Sequence, residues 1–493
     1  MAATAAMLSE PAPIAAEPTE PTEPAAPAKV AAATATRPID PAERPDARGQ
    51  PPQNREPTAD DLTGAPIPGN ESGRIDPSDR TDSGLRRALR GALFVPRLGV
   101  DVALSPIRLG VWAYERYHLN ELYYRVFFND ARTIGLVPTL AFDSGFGVTA
   151  GGRFVDRDLL GAQEHLLIEA ASGGRYHGVI KTALQSGDRL GDHLAIELDG
   201  QYELRPKDPF YGIGNHSDSA LPAAPVDPAL DPAAVEARYR ERLARVAAVI
   251  DLRVIGGFHL RSSSELTERR FSPSDTGVAI DTVYDPMTLV GYDGVRYVYS
   301  ELELRYDDRR NANEYEPQPF YSVGSLAAAF GGRIHRLDGA RDYWRYGVDL
   351  QHFIRLAEGP RVLALRLHGE AVSGALADVP FTELPQLGGL DDLRGYPTDR
   401  FRDRVAAFGS IDYAWDLSGW LSARVFVDAG RVFGSLSDFE VDHLRVGYGI
   451  ALEGHTSLSF GVLGALSSSI DGGLLLNLSF NPMFRLDERV RRR

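Results

Sequence analysis

An arginine and two aspartates in the C-terminal part of the sequence could together form an ion-pair cluster. Arg394 stands in the run Arg394-Gly395-Tyr396, and Asp412 and Asp428 follow it in two later segments. The guanidinium of arginine is planar, and its N–H donors form a fork that fits both oxygens of a carboxylate. The chemistry open to these residues is therefore to hold a charged loop in one position. It is not to make or break a bond.

The positions of the two aspartates favour this arrangement. Side chains two residues apart lie on the same face of a β-strand. Alternation therefore places Asp412 and Asp428 on the polar faces of two consecutive predicted strands, so that both carboxylates face the same interior. Arg394 on a loop inserted before them could pair with one or both, and Gly395 would let the chain turn sharply beside it.

The elements that must position these residues are strands. From about Thr133 onward, apolar and polar side chains alternate with period two, which is typical of strands with one apolar and one polar face. The pattern predicts about sixteen strands, although the segment at 236–249 is charged enough to resemble a helix. The predicted strands lie near 133–141, 145–154, 162–173, 175–186, 193–205, 236–249, 251–263, 293–307, 318–332, 342–355, 360–374, 404–416, 418–433, 442–452, 455–466 and 473–484.

This array is typical of a closed barrel in an outer membrane. About sixteen consecutive strands exceed what an open sheet usually tolerates, and closure removes the unpaired edges. Charged strand faces are too frequent for a soluble barrel, in which the apolar face points inward. The long connections near 206–235, 264–292 and 375–403 all follow odd-numbered strands, as expected when one rim carries the long loops. The predicted fold class is all-β, a sixteen-stranded antiparallel transmembrane β-barrel.

The N-terminal part of the chain has a different composition. No Phe, Tyr or Trp precedes Phe94, whereas 15 of the 33 prolines lie in residues 1–80. A segment without aromatic residues buries too little apolar surface to offset the backbone entropy of ordering it. We therefore expect a disordered Pro/Ala-rich tail at 1–84, a helical pre-barrel segment at 85–132, the barrel at 133–484 and a basic C-terminal tail at 485–493.

Composition and motifs argue against several classes of function. The formal net charge of −15 gives no sequence-wide attraction for nucleic acid. The chain has no cysteine, which excludes thiolate metal sites and cysteine nucleophiles. Its 11 histidines are scattered, and it carries no metalloprotease, serine-hydrolase or phosphate-loop motif. We expect no catalytic residue, no metal site, no cofactor and no enzymatic activity.

Several motifs occur in a fixed order near the C-terminus. Gly388-Gly389 and then Arg394-Gly395-Tyr396 lie in the long loop, Ser410–Tyr413 and Phe426–Gly430 lie in the next two strands, and a leucine-rich strand ends the array. Together they resemble the BamA/TamA-like outer-membrane barrel superfamily, also called the bacterial surface antigen family. Its members carry an Arg-Gly-Tyr/Phe signature in a loop that folds back into the lumen, followed by Ser-x-acid-Tyr and Phe-x-Asp-x-Gly strands. The residues matching the last motif are Phe426, Asp428 and Gly430.

The terminal strand extends the resemblance. Residues 474–484 are similar to the signal by which such barrels are recognised for insertion, with Phe480 and Phe484 as its aromatic residues. The superfamily signal commonly stops at the aromatic residue, whereas this chain continues to Arg493.

The resemblance implies a role in the outer membrane of a Gram-negative bacterium. The implied function is outer-membrane protein assembly, or polypeptide or lipid translocation, without bond-making chemistry and with the inserted loop locked by Arg394 to Asp412 and Asp428. The implied partners are outer-membrane lipid, an unfolded β-barrel or secreted polypeptide, and the barrel assembly machinery for the chain's own insertion. Nucleic acid is not among them.

Alternatives remain open at this stage. Members of the superfamily that handle client proteins carry periplasmic POTRA domains, and residues 1–84 are not expected to form one. Met1–Ala6 also lacks the positive charge of a secretory signal. A passive outer-membrane channel is the first alternative, a barrel-wall enzyme the second, and a soluble β-rich binding protein the third.

Overall fold

A computed structural model describes part of the chain. The described residues are 116–117, 119–143, 147–174, 177–191, 193–215, 236–311, 321–357, 361–418, 421–455 and 460–479. The predicted tails at 1–84 and 485–493, the first part of the predicted helical segment at 85–132, and both Phe480 and Phe484 lie outside the described residues.

One α-helix, four short 3-10 helices (Gly187–Leu190, Ile280–Thr282, Leu376–Asp378 and Leu436–Asp438) and eighteen strands make up the described structure. Helix α1 spans Leu119–Phe127. The strands are β1 (Ile134–Asp143), β2 (Gly147–Asp156), β3 (His165–Gly173), β4 (His177–Gln185), β5 (Leu194–Phe210), β6 (Ala237–Ile255), β7 (Phe258–Pro273), β8 (Val295–Asp307), β9 (Gly324–Arg336), β10 (Tyr343–Arg355), β11 (Arg361–Val372), β12 (Gln386–Leu387), β13 (Phe401–Arg402), β14 (Val405–Ser418), β15 (Leu421–Phe433), β16 (Arg445–His455), β17 (Phe460–Ser469) and β18 (Leu474–Ser479).

Sixteen of these strands form one sheet in the order of the sequence. The sheet runs from β1 to β11 and then from β14 to β18, and β12 and β13 pair separately as a small hairpin. Neighbouring strands are antiparallel, as between β14 and β15, where Ser410 pairs with Asp428. The predicted number of strands is confirmed. Strands β1 and β18 lie at the two ends of this order, and among the described residues no pairing joins them.

The two faces of the sheet differ sharply in polarity. In β8, Glu301 and Glu303 are buried, at 5% and 2% exposure, whereas their neighbours Leu302 and Leu304 are 52% and 63% exposed. The same alternation recurs along the other strands, where buried charges oppose exposed leucine, isoleucine and valine. We call the face that carries Glu301 and Glu303 the inner face. This arrangement is the reverse of a soluble barrel, whose apolar face is buried.

Several boundaries differ from the sequence-based prediction. The prediction of a loop over 264–292 is wrong at its start, because β7 continues to Pro273. The last part of β7 is rich in charged residues, a composition that resembles a loop. Charged residues such as Arg269 are nevertheless part of the strand and face inward. The segment at 236–249 is a strand and not a helix, because its charged residues alternate with period two. The connection at 308–323 leaves the rim opposite to the other long loops, so loop lengths are sorted only in part.

The connection between β11 and β14, residues 373–404, packs against the inner face. Its apolar side chains complete three hydrophobic clusters with strand residues. Val379 and Leu384 pack with Tyr297 and Tyr343, and Phe381 packs with Phe210. We refer to residues 373–404 as the inner loop. The segment is a packed part of the fold because it supplies apolar surface that the polar inner face lacks.

Helix α1 lies beside the start of the sheet. Tyr124 of this helix is buried, and the guanidinium carbons of Arg132 and Arg157 lie 5.0 and 5.5 Å from its ring centroid. A short backbone bridge joins Phe128 to Gly135 of β1. Within the described ranges, no helix has the length and apolar character needed to cross a membrane.

The polarity of the faces predicts the effect of an added charge. The outward face is expected to contact lipid, and we expect Leu302→Arg to destabilise the folded protein by about 2–4 kcal/mol, the cost of a charge on a lipid-facing strand. The measurement is urea-induced unfolding in lipid vesicles. Met287→Arg is the matched control, because Met287 is 91% exposed in a connection between strands. Equal stability of the two variants would contradict the assignment of the outward face.

Candidate functional site

A short hairpin shapes the inner loop around the candidate site. Strands β12 and β13 pair through Gln386 with Arg402 and Leu387 with Phe401. Gly388 and Gly389 follow β12 with φ of 120° and 103°, a backbone conformation that suits glycine. The N–H of Gly389 donates to the carbonyl of Tyr396, at 3.1 Å. This closed turn presents the segment Arg394–Tyr396, the RGY segment, to the inner face.

Arg394 makes a bidentate pair with Asp428 of β15. Its Nε donates to Oδ2 at 2.7 Å and its Nη2 to Oδ1 at 2.6 Å. The backbone N–H of Arg394 also donates to Oδ2, at 2.9 Å. Both side chains are buried. Main chain and side chain thus hold the same carboxylate, which fixes the loop backbone as well as the guanidinium.

The same guanidinium makes a second bidentate pair with Asp412 of β14. Nη1 and Nη2 of Arg394 donate to Oδ1 and Oδ2 at 2.8 and 2.9 Å. The hydroxyl of Ser410 accepts from Nη2 at 2.8 Å and donates to Asp412 Oδ2 at 2.8 Å. The guanidinium carbon lies 3.7 Å from the ring centroid of Phe426, within the range of a cation–π contact. Two strands and one aromatic ring therefore surround Arg394.

A second arginine extends the cluster along the sheet. Arg424 Nη1 lies 3.7 Å from Asp412 Oδ1, and its Nε donates to Glu453 Oε1 at 3.0 Å. All these groups are buried. Removing one partner of a buried ion pair leaves an uncompensated charge, which costs about 3–5 kcal/mol. Displacement of the RGY segment therefore carries a free-energy cost of this size unless another cation replaces Arg394.

Beyond Arg394, the loop backbone touches the backbone of the sheet. Gly395 has φ of 96°, and a Cβ built on it would lie 2.2 Å from the carbonyl of Ser468 in β17. A Cβ on Gly447 of β16 would lie 1.5 Å from the carbonyl of Arg394. No side chain fits at either place. Both glycines are therefore needed for the RGY segment to lie this close to β16 and β17.

Tyr396 points away from the two aspartates. Its hydroxyl donates to Asp471 Oδ2 at 2.7 Å, in the turn between β17 and β18. Arg445 Nη1 donates to both oxygens of Asp471 at 3.0 Å. Burial, together with the hydrogen bond to Asp471, raises the pKa of Tyr396. The hydroxyl therefore stays protonated and remains a donor over the physiological pH range.

The structure brings most of the sequence-predicted residues into one place. Arg394, Asp412 and Asp428 are in direct contact, and Phe426 lies against the guanidinium. Gly430 of β15 lies near the hairpin, where a Cβ would be 3.2 Å from Leu387 Cδ1. Among the described residues, no group of three or more histidine and carboxylate side chains could hold a metal ion.

Sequence reasoning missed Gly447, Asp471 and Glu453 of this site. A glycine inside a predicted strand marks a close backbone approach, and this signal was available for Gly447. Ser410 belongs to a predicted motif and shares a strand face with Asp412, and it contacts Arg394 in the structure. Asp471 and Glu453 give no local signal, because their partners come from distant parts of the sequence.

Comparison with protein families gives the family of this segment. Residues 317–461 match the Omp85 superfamily domain. This segment is similar to an Omp85 superfamily domain. The match includes the inner loop and β14 and β15, the strands of Asp412 and Asp428.

Three solved structures are similar to this chain, and the first of them shows the same fold. The crystal structure of BamA from Haemophilus ducreyi lacking POTRA domains 1–3 is similar at 14% sequence identity and a TM-score of 0.51, covering 70% of this chain and 70% of that chain. CdiB from Acinetobacter baumannii matches at 10% identity and a TM-score of 0.45, covering 70% of this chain and 58% of that one. CdiB from Escherichia coli matches at 11% and 0.42, with coverage of 70% and 60%. No curated protein matches the sequence.

The contact at Gly447 predicts a steric effect. We expect Gly447→Ala to force the RGY segment of the Omp85 domain away from β16 and to destabilise the protein by about 1–3 kcal/mol, the usual cost of overpacking. The measurements are thermal unfolding and protease cleavage within the inner loop. The matched control is Gly464→Ala in β17, where the added Cβ would be 3.5 Å from Leu478 Cδ2, an ordinary contact. Unchanged cleavage in Gly447→Ala would show that the loop does not lie on β16.

Proposed function

We propose that this protein acts in outer-membrane protein assembly or in polypeptide translocation, and that the inner loop is its movable plug. The double bidentate pairing of Arg394 with Asp412 and Asp428 carries this proposal. The pairing would lock the loop in its resting position. Function would then require release of this lock, with no covalent bond made or broken.

The match to the Omp85 superfamily domain supports a role in assembly or translocation. Its superfamily resemblance implies assembly or secretion, and the fold is that of the BamA structure. The ends of the sheet support a route through the wall, because β1 and β18 each keep one unpaired edge among the described residues. An unpaired edge is a template on which another strand can add. We infer that an incoming β-strand from a client polypeptide pairs with the unpaired edge of β1 or β18.

A passive channel would use the same sheet differently. It needs a lumen that stays open, whereas the inner loop packs into three clusters on the inner face. The packing therefore favours a gated protein over a permanently open pore.

The lock predicts the behaviour of a lysine variant. We expect Arg394→Lys to raise the frequency of large single-channel openings in planar bilayers by about tenfold, because lysine keeps the charge but lacks the fork for two carboxylates. The matched control is Arg404→Lys, at a loop arginine whose Nη1 donates to the carbonyl of Gly374 and which lies outside the cluster. Equal opening frequencies in the two variants would reject the lock.

A second measurement tests the proposed role in outer-membrane protein assembly. An eight-stranded outer-membrane barrel, kept unfolded in urea, is diluted into liposomes that contain the protein, and its folding is followed by gel mobility. We expect the protein to accelerate folding over empty liposomes, and Arg394→Lys to increase this acceleration because the weakened lock releases the plug more readily. No acceleration by the unaltered protein, together with a steady open current, would reject an assembly role and indicate a passive channel.

A further inference from the structure

A carboxylate in the first half of the inner loop contacts two strand arginines. Glu383 is 1% exposed, and its Oε1 lies 3.2 Å from Arg269 Nε of β7. Its Oε2 accepts from Arg345 Nη2 of β10 at 3.3 Å, and its backbone carbonyl accepts from the same nitrogen at 2.6 Å. The contact thus involves β7 and β10, which lie five and two positions before β14, the strand of Asp412, in the strand order.

Each of these arginines also has a carboxylate partner on a strand. Arg269 Nη1 donates to Glu241 Oε1 at 3.0 Å, and Arg345 Nε lies 3.3 Å from Glu370 Oε1. Neither arginine would be left without a counter-charge if Glu383 withdrew. Each arginine therefore keeps a carboxylate of the sheet near it with the loop in place or displaced. Glu383, by contrast, would lose both of its arginine partners if the loop moved away. Its ion pairs therefore stabilise the position of the loop and not the sheet.

We propose that Glu383 is a second anchor of the inner loop, opposite in charge to Arg394. The proposal rests on the proposed function of the loop as a plug, and it makes Glu383 a positioning residue. One half of the loop brings an anion to two arginines, and the other half brings a cation to two aspartates. The first half can then be released by a competing carboxylate, whereas the second half requires a competing cation.

The packing next to Glu383 agrees with a defined resting position. The ring of Phe381 lies 5.4 Å from the ring of Phe210 and 5.3 Å from that of Tyr239, both in edge contact. Its backbone N–H donates to the carbonyl of Val290, at 2.9 Å. Apolar contacts of this kind hold the loop down but tolerate small shifts. The ion pairs of Glu383 add the directional contacts that fix its place along β7 and β10.

The experiment uses the absence of cysteine from the chain. A reporter thiol is placed in each half of the loop, Leu384→Cys near Glu383 and Leu393→Cys beside Arg394, both at buried positions. Modification by N-ethylmaleimide, a small neutral reagent, is timed in liposomes that contain the full chain. Glu383→Gln is compared with Glu370→Gln, which removes an equal charge from the same arginine but lies on β11 and not on the loop.

We expect Glu383→Gln to speed modification at Leu384→Cys by about tenfold relative to Glu370→Gln, the factor for loss of one charge-assisted contact, and to leave Leu393→Cys unchanged. Equal rates in the two variants would overturn the second anchor. Acceleration at both reporters would also overturn it, because the two halves would then move as one. If Arg394→Lys exposes Leu393→Cys while Glu383→Gln exposes nothing, the plug stands and the second anchor is rejected. If neither variant exposes its reporter, the plug itself is rejected.

Discussion

A charge that is buried must be paired, and the inner face of this sheet depends on that constraint. Its strands carry arginines and carboxylates where a soluble protein would carry an apolar core, and the cost of burying them is offset only by partners at hydrogen-bonding distance. Asp412 and Asp428 could not lie on neighbouring strands without a cation between them. Arg394 is that cation, and it comes from a loop and not from the sheet. The resting position of the loop and the stability of this part of the sheet therefore both depend on the pairing of Arg394 with Asp412 and Asp428.

The inverted polarity also explains why the inner loop resembles a small core. Leu, Phe and Val side chains of the loop meet the few aromatic residues that face inward, and they form clusters that the strands alone could not complete. Hydrophobic contacts hold the loop against the inner face, and ion pairs fix its position along the strands. This combination suits the proposed plug, which is stable at rest and can be released. Apolar contacts can be remade after a shift, whereas a bidentate pair is either present or lost.

Much of this could be predicted from the sequence, for physical reasons that differ from residue to residue. Alternation fixed the number of strands because the period of a strand is independent of its partners. The pairing of Arg394 was expected because the two aspartates lie on faces set by that same period. Glu383 could not be predicted, since Arg269 and Arg345 come from strands far away in the sequence and only the folded sheet brings them together. The strand at 264–273 was missed because charged residues that face an interior look like those of a loop.

The hydrogen bond from Tyr396 to Asp471 links the loop to the edge of the sheet. Asp471 lies in the turn that precedes β18, the last strand of the order. A displacement of Tyr396 must therefore either break this bond or carry the turn with it. In the second case, movement of the inner loop strains the terminal hairpin of β17 and β18 through this hydrogen bond. If the loop moves as the proposed plug, its withdrawal is then coupled to a displacement of the edge strand β18.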